Sequence, residues 1–107
     1  MLNLTPHAIV IATANGDITI EPSGTVARVD SNDVVIGKCS VTGVDIIERA
    51  FGEVYGLPND DDTICIVSAM VLSAVPNRKN TFAPDTGATA IRNEKGHIVK
   101  VTRLVKA

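Results

Sequence analysis

Residues 8–21 read AIVIATANGDITIE, and this stretch decides the fold class of the chain. Its first part, residues 8–13, is rich in β-branched side chains, which favour strands. Its last part, residues 17–21, alternates polar and apolar side chains, as a half-buried strand does. Between them stands Asn15-Gly16, the strongest short-range signal for a tight hairpin turn. We therefore predict an antiparallel β-hairpin over this stretch.

The rest of the chain repeats this rhythm of short apolar stretches separated by turn signals, which is typical of a small β-rich domain. We predict further strands at residues 25–29, 34–36, 63–67, 89–93 and 97–106, with residues 30–33 as a polar link. The last two strands flank Glu94-Lys95-Gly96 and form a second hairpin. The pattern indicates a small antiparallel sheet or an open barrel.

One short helix interrupts the strands. Ser68 is a suitable N-cap residue, because its hydroxyl can accept a hydrogen bond from a main-chain N–H of the first turn. The apolar residues after it run to Pro76, which cannot continue a helix. We predict this helix at about residues 69–75. The fold class is therefore α+β, mostly β, in a single domain covering residues 1–107.

Residues 41–58 allow two interpretations. Apolar side chains repeat there at helical spacing, at positions 46, 47, 50, 51 and 54. Gly52 and Gly56, however, each disfavour a helix by about 1 kcal/mol. We favour a strand that ends at Tyr55, and a short helix remains the alternative.

Composition excludes several classes of partner. Hydrophobic residues make up 45% of the chain and aromatics only 3%, so the core must be aliphatic. The formal net charge is −2, whereas a nucleic-acid interface needs a clustered positive excess. No apolar run reaches the roughly 20 residues of a membrane span, and the N-terminus lacks the basic segment of a signal peptide. We expect no DNA partner, no membrane partner and a cytoplasmic location.

Sequence motifs for cofactors, metals and catalysis are missing. There is no phosphate-binding P-loop pattern and no nucleophile elbow. His7 and His97 have no second histidine or cysteine at metal-ligand spacing, and the acidic run at residues 59–62 is predicted to be a polar turn. Cys39 and Cys65 are expected to be two free thiols. We expect no metal and no cofactor.

Polar side chains at predicted turns, together with Arg28 from the predicted strand at residues 25–29, form the candidate binding site. Residues 77–86 form the longest irregular segment, and long ordered loops in small domains are often functional. Guanidinium groups bind phosphate well, and hydroxyls supply further hydrogen bonds. The predicted ligand-binding residues are Thr5, His7, Ser23, Arg28, Ser68, Arg78, Asp85 and Thr86. Together they predict a site for a small anionic ligand.

Each of these residues also has a purely local interpretation. Ser23 and Asp85 are common turn residues, and Ser68 is a helix cap. Arg28 and Arg78 are ordinary surface cations, and His7 can simply bond to nearby main chain. No spacing rule brings the set together in space, so their convergence is a prediction for the structure to test.

Several short motifs carry a resemblance to a known group of proteins. They are NLTPH at residues 3–7, FGEV at residues 51–54 followed by GLP at 56–58, and IVS at 66–68. With these motifs the chain resembles a loose group of short, uncharacterised phage and bacterial proteins. The resemblance implies a phage context, and hence a location in the host bacterial cytoplasm. It extends in pieces along nearly the whole chain.

Small phage domains without catalytic motifs often act by binding. The resemblance therefore implies a non-catalytic protein that sequesters a phosphate-containing nucleotide signal of anti-phage defence, such as a cyclic nucleotide or an ADP-ribose derivative. A homo-oligomer is expected, because a small aliphatic β-domain readily shares an edge strand or the apolar face of residues 69–75. The alternatives are a protein–protein inhibitor or minor structural module, and a small nucleotide hydrolase that uses His7.

Overall fold

The computed structural model describes residues 1–60 and 62–107. Asp61 lies outside the described residues, so the predicted polar turn at residues 59–62 is described only in part. The chain forms ten strands and one helix within the described residues, in the order β1 (Leu2–Asn3), β2 (Ile9–Thr13), β3 (Gly16–Ile20), β4 (Arg28–Lys38), β5 (Asp45–Tyr55), β6 (Cys65–Ile66), α1 (Ala69–Ala74), β7 (Thr81–Pro84), β8 (Ile91–Arg92), β9 (Ile98–Lys100) and β10 (Leu104–Val105).

The strands form one central sheet and three two-stranded sheets. The central sheet has the order β1-β6-β7-β10, in which β7 and β10 are antiparallel and the other two pairs are parallel. The pairs β2-β3, β4-β5 and β8-β9 are antiparallel hairpins. The predicted fold class is confirmed: the chain is mostly β with one short helix, and the sheets do not close into a barrel.

The hydrophobic core lies between α1 and the central sheet. Cys65 and Val67 are completely buried, and Val71 and Leu72 of α1 pack against them. All of these are aliphatic or thiol side chains, as the shortage of aromatic residues requires. Cys65 is thus a core residue.

The hairpin predicted from residues 8–21 is confirmed. In β2 and β3, Ile11 pairs with Ile18 and Thr13 pairs with Gly16. The two-residue loop is Ala14-Asn15, and Gly16 closes it with a φ of 113°, a value that favours glycine. The Asn15-Gly16 pair therefore consists of the last loop residue and the first residue of β3.

Strands β4 and β5 form a long two-stranded hairpin, called here the β4–β5 ribbon. The strand interpretation of residues 45–55 is confirmed, with its predicted end at Tyr55. The polar link predicted at residues 30–33 is wrong, because these residues continue β4 without a break. Asp33 of this segment lies opposite Arg49 of β5 and accepts hydrogen bonds from it at 2.8 and 3.3 Å, so its polarity is matched across the strands.

The predicted helix is confirmed at residues 69–74. Ser68 is its N-cap, and the Ser68 hydroxyl accepts a hydrogen bond from the Val71 N–H at 3.3 Å. Val75 is the C-cap, directly before Pro76. No helix formed by the described residues is long and apolar enough to cross a membrane.

Three predictions for the C-terminal half need correction. Residues 77–86 are not irregular throughout, since residues 81–84 form β7 in the central sheet with Thr81 and Ala83 buried. The predicted last strand, residues 97–106, is broken into β9 and β10, because β9 pairs with β8 while β10 crosses to β7. The short strand β6 also occupies less of residues 63–67 than predicted.

Candidate functional site

The main cleft has a volume of 440 Å³ and lies where β2, β9, the start of α1 and the loop after β7 meet. One wall is aliphatic, formed by residues of β2 and β9 together with Val67. Strand β2 lies beside the end of β9 there, and the Ala12 N–H donates a hydrogen bond of 2.9 Å to the main-chain oxygen of Val101, the residue directly after β9. The polar side chains that line the cleft are Thr5, His7, Ser68, Thr86 and Lys100.

The Thr5–His7 rim of the cleft is held by the buried side chain of Asn3. Its amide nitrogen donates to the main-chain oxygens of His7 at 2.8 Å and Ile20 at 2.9 Å. Its oxygen accepts from the Thr5 N–H at 3.0 Å and the Thr5 hydroxyl at 2.7 Å. Since Asn3 is only 1% exposed, the rim is fixed from beneath by a fully satisfied amide. This positioning residue was not among the predicted site residues.

Ser68 and Thr5 present hydroxyl oxygens that are already oriented. The Ser68 oxygen accepts from Val71, which leaves its hydrogen available to donate to a ligand. The Thr5 hydroxyl donates inside the protein, to Asn3 or to the His7 main-chain oxygen at 3.0 Å, which leaves its oxygen to accept. The two groups therefore offer one donor and one acceptor at the mouth of the same cleft.

Thr86 enters the cleft from a loop that Asp85 holds in place. One Asp85 carboxylate oxygen accepts from the Gly87 N–H at 3.0 Å, and the other accepts two hydrogen bonds from Arg103, at 2.7 and 2.9 Å. The Gly87 N–H and then the Arg103 guanidinium hold the pKa of the Asp85 carboxyl below its usual value. Asp85 does not line the main cleft but supports the residue that does.

Lys100 is the cation of the main cleft, and sequence reasoning missed it. It forms an ion pair of 2.7 Å with Asp17 of β3. Its side chain is 38% exposed, so it is accessible to a ligand from the cleft. The alternation of residues 97–106 places Lys100 on the polar face of its strand. Which part of the protein this face lies against, however, depends on how β9 packs beside β2. The sequence held no signal for that packing.

The structure brings together Thr5, His7, Ser68 and Thr86, but not the remaining predicted residues. Arg28 lines a smaller hollow of 270 Å³ that shares Thr5 and Ser68 with the main cleft. Ser23 closes its own turn, where its hydroxyl and Thr25 exchange hydrogen bonds at 3.1 and 3.3 Å. Neither arginine that was predicted to bind phosphate lines the main cleft.

Arg78 lies at the opposite end of α1. It borders a more open hollow of 730 Å³ that includes residues 54–59 and 74–78. Its guanidinium donates to the main-chain oxygens of Pro58 at 2.9 Å and Asp60 at 3.0 Å, and to the Thr81 hydroxyl at 3.3 Å. Arg78 thus fastens the loop before β6 to β7.

The main cleft has the composition of a small-molecule site, in which apolar walls surround a few polar groups that fix the orientation of a ligand. Its cation and hydroxyls suit an anionic or strongly polar group, while the aliphatic wall suits a flat apolar surface. Among the described residues, no three His, Cys, Asp or Glu side chains are grouped as a metal site requires. Comparison with protein-family models, curated proteins and solved structures gave no match.

Proposed function

We propose that the protein is a non-catalytic binding protein that holds a small phosphate-bearing ligand in the main cleft. The observation that carries this proposal is the meeting of Thr5, His7, Ser68 and Thr86 around one cavity that also contains Lys100. Its volume of 440 Å³ falls in the range of about 300–1,000 Å³ that small-molecule sites occupy.

The charge of the cleft favours a ligand with few negative charges. Lys100 is already paired with Asp17, so a phosphate must share this cation with a carboxylate. A cyclic nucleotide phosphodiester, with one negative charge per phosphate, suits such a site better than a nucleoside triphosphate. The aliphatic wall offers a surface for the base or the sugar. An ADP-ribose derivative is the second member of this ligand class.

The phage context that the sequence resemblance implies gives such binding a biological use. A phage protein that binds a nucleotide signal of a bacterial defence system lowers the free concentration of that signal. Sequestration of this kind needs a tight site and no chemistry. The proposed activity is therefore capture and retention of the intact nucleotide.

Calorimetric titration with a panel of cyclic nucleotides and ADP-ribose derivatives tests this function. We expect one panel member to bind, and Lys100→Ala and Ser68→Ala each to weaken binding by about tenfold, because each removes one polar contact with the ligand. Lys95→Ala is the matched control: it removes an exposed cation from the β8–β9 turn, outside the cleft. Absence of binding across the panel contradicts the proposal.

The same titration separates binding from hydrolysis. A sequestering protein returns the ligand intact after denaturation, as phosphorus NMR can verify. Conversion of the ligand that is lost in His7→Ala supports the hydrolase alternative, in which His7 acts as the acid–base group.

We also propose that the protein self-associates. The second candidate function is binding of a foreign protein, and one observation favours it. The β4–β5 ribbon leaves apolar side chains exposed on both of its faces, including Val34, Val35, Ile47 and Phe51. An inhibitor or structural module would use such a surface for a foreign partner. In that case the Lys100→Ala variant still binds the partner protein fully, whereas substitutions of the exposed apolar residues of the β4–β5 ribbon abolish this binding.

A further inference from the structure

Among residues 1–60 and 62–107, the β4–β5 ribbon forms a two-stranded sheet to which no third strand is added. Each strand is 11 residues long, and nearly every residue of both strands is exposed. Two-stranded hairpins are marginally stable in water and usually gain stability from further strands or from packing. Within the described residues, no strand pairs with the outer edge of β5. That edge therefore presents unpaired main-chain N–H and C=O groups.

Every second residue of β5 between 45 and 51 lies on one face of the ribbon. The register pairs Asp45 with Lys38, Ile47 with Val35, and Arg49 with Asp33, and residues directly opposite each other share a face. Both charged pairs form ion pairs, at 2.7 and 2.8 Å. The register shift near these pairs lies between Val35 and Gly37 on β4, so β5 itself is regular here.

On β5, Asp45 and Arg49 are placed symmetrically about Ile47. Each stands two residues from Ile47, on the same face and with opposite charge. In an antiparallel pair formed by two identical strands, residues equally far from the centre lie opposite each other. A pair centred on Ile47 therefore brings Asp45 of each copy against Arg49 of the other.

We propose that two copies of this chain join through the outer edges of their β5 strands, antiparallel and centred on Ile47. The result is a continuous four-stranded sheet, β4-β5-β5-β4. Across it runs a row of alternating charge, from Asp33 and Arg49 of one copy to Asp45 and Lys38 of the second copy. This inference gives the proposed self-association a specific interface, and it is independent of the ligand.

Neighbouring registers are less favourable. A pair centred on Glu48 sets that carboxylate against its own copy and sets Arg49 against Ile47, whereas a pair centred on Ile46 sets Asp45 against Ile47. Like charges directly opposite each other destabilise a sheet. The register centred on Ile47 also sets Ile46 against Glu48 on the other face. Of these three registers, however, it alone matches opposite charges twice and sets Ile47 against Ile47.

Cysteine cross-linking in a Cys39→Ser background tests the register. At the two-fold centre, Ile47→Cys places two thiols on Cα atoms about 4.5–5.5 Å apart, which suits a disulfide. Val35→Cys is the matched control, because Val35 lies opposite Ile47 on the same face and is 57% exposed against 45% for Ile47. Its Cα atoms are three strand spacings apart, about 14 Å, which is too far for a disulfide.

Under a mild disulfide oxidant such as oxidised glutathione, we expect rapid covalent dimer from Ile47→Cys and little from Val35→Cys. Equal cross-linking of the two variants overturns the register. Sedimentation equilibrium gives a second readout without introduced thiols: Arg49→Ala should raise the dimer Kd by about tenfold, because two intermolecular ion pairs are lost. Lys95→Ala, which removes a distant cation, should leave the Kd unchanged.

The outcomes also separate this interface from self-association in general. A wild-type protein that remains monomeric at high concentration contradicts both the proposed self-association and the proposed β5 interface. A stable oligomer in which Ile47→Cys does not cross-link removes the β5 register and leaves self-association through another surface. Neither outcome bears on ligand binding in the main cleft.

Discussion

The side-chain amide of Asn3 donates a hydrogen bond of 2.8 Å to the main-chain oxygen of His7, four residues along the chain. This bond connects the buried central sheet to the rim of the main cleft, because Asn3 belongs to β1 and His7 lines the cleft. The rigid rim is thus a consequence of core packing. Proline at position 6 adds to it by fixing the backbone between Thr5 and His7.

Replacement of Asn3 by aspartate should strongly destabilise the protein. Asn3→Asp removes both N–H donors and sets a buried carboxylate against the main-chain oxygens of His7 and Ile20. We expect a loss of roughly 3 kcal/mol or more in the free energy of unfolding near neutral pH, measured by urea denaturation. The introduced carboxyl should have a raised pKa, so the loss should shrink as the pH falls.

Asn15→Asp provides the control for this change. Asn15 is exposed in the β2–β3 loop, and its substitution should alter the unfolding free energy by less than about 0.5 kcal/mol. Similar stabilities for the two variants would contradict the role assigned to Asn3.

Local signals predicted the β2–β3 and β8–β9 hairpins and the helix, whereas the β4–β5 pairing and the long-range pairing of the central sheet were not predicted. The β2–β3 hairpin follows from Asn15-Gly16 and its flanking strands, and α1 follows from Ser68 and Pro76. The central sheet instead joins β1, β6 and β7, which are two to four residues long and far apart in sequence. Strands this short carry no periodicity, so their pairing is set by tertiary packing alone.

The candidate site was likewise predictable where its residues stand at local sequence signals, and not where they depend on long-range packing. Thr5, His7, Ser68 and Thr86 stand at turns or a helix cap, and turn residues meet where the strands end. Lys100 depends on the packing of β9 beside β2. Arg78 donates hydrogen bonds to main-chain oxygens of the loop before β6. This structural role could not be predicted, because no sequence pattern shows which carbonyl groups need a side-chain donor in the folded protein.

Alanine should destabilise the protein at Gly56 but leave its stability nearly unchanged at Gly37. Gly56 has a φ of 85°, and a Cβ atom there would lie 3.0 Å from the main-chain oxygen of Val26. Gly56→Ala should therefore cost roughly 1–3 kcal/mol of unfolding free energy. At Gly37 a Cβ atom would meet nothing within 4 Å, so Gly37→Ala should change stability by less than about 0.5 kcal/mol. Thermal denaturation of both variants measures the difference.

The two cysteines should react at very different rates with a thiol reagent. Cys39 is partly exposed, and hydrogen bonds from the Thr42 side chain and from nearby main chain lower its pKa. Burial raises the pKa of Cys65, which is completely inaccessible. Colorimetric titration should find one fast thiol in the folded protein and a second after denaturation. Two fast thiols in the folded protein would contradict the described core.

Asp85 should make the loop that carries Thr86 sensitive to acid. Since the folded-state pKa of Asp85 is lowered, its stabilising contribution is present above the ordinary carboxyl pKa, near 4, and is lost as the pH falls through the lowered value. Asp85→Asn should thus reduce stability at neutral pH and differ little from wild type in strong acid. Urea denaturation across this range tests it, with exposed Glu94→Gln as a control that should show little difference at either extreme.

Tyr55 offers a direct titration, because it is the only tyrosine in the chain. Its hydroxyl lies 2.9 Å from Glu53 and 3.0 Å from Asp30, and the two carboxylates share its single hydrogen. These hydrogen bonds, that to Glu53 first, raise the pKa of Tyr55 to about 12. The stabilisation they give is present below the ordinary tyrosine pKa, about 10, and disappears as the pH rises through the raised value.

Ultraviolet absorbance should therefore show a phenol midpoint near pH 12 in the folded protein. Glu53→Gln and Asp30→Asn should each move this midpoint toward 10, since the hydrogen bond to Glu53 and then that to Asp30 are the two largest causes of the raised pKa. A wild-type midpoint at the ordinary value would show that the ends of β4 and β5 do not hold these three side chains together.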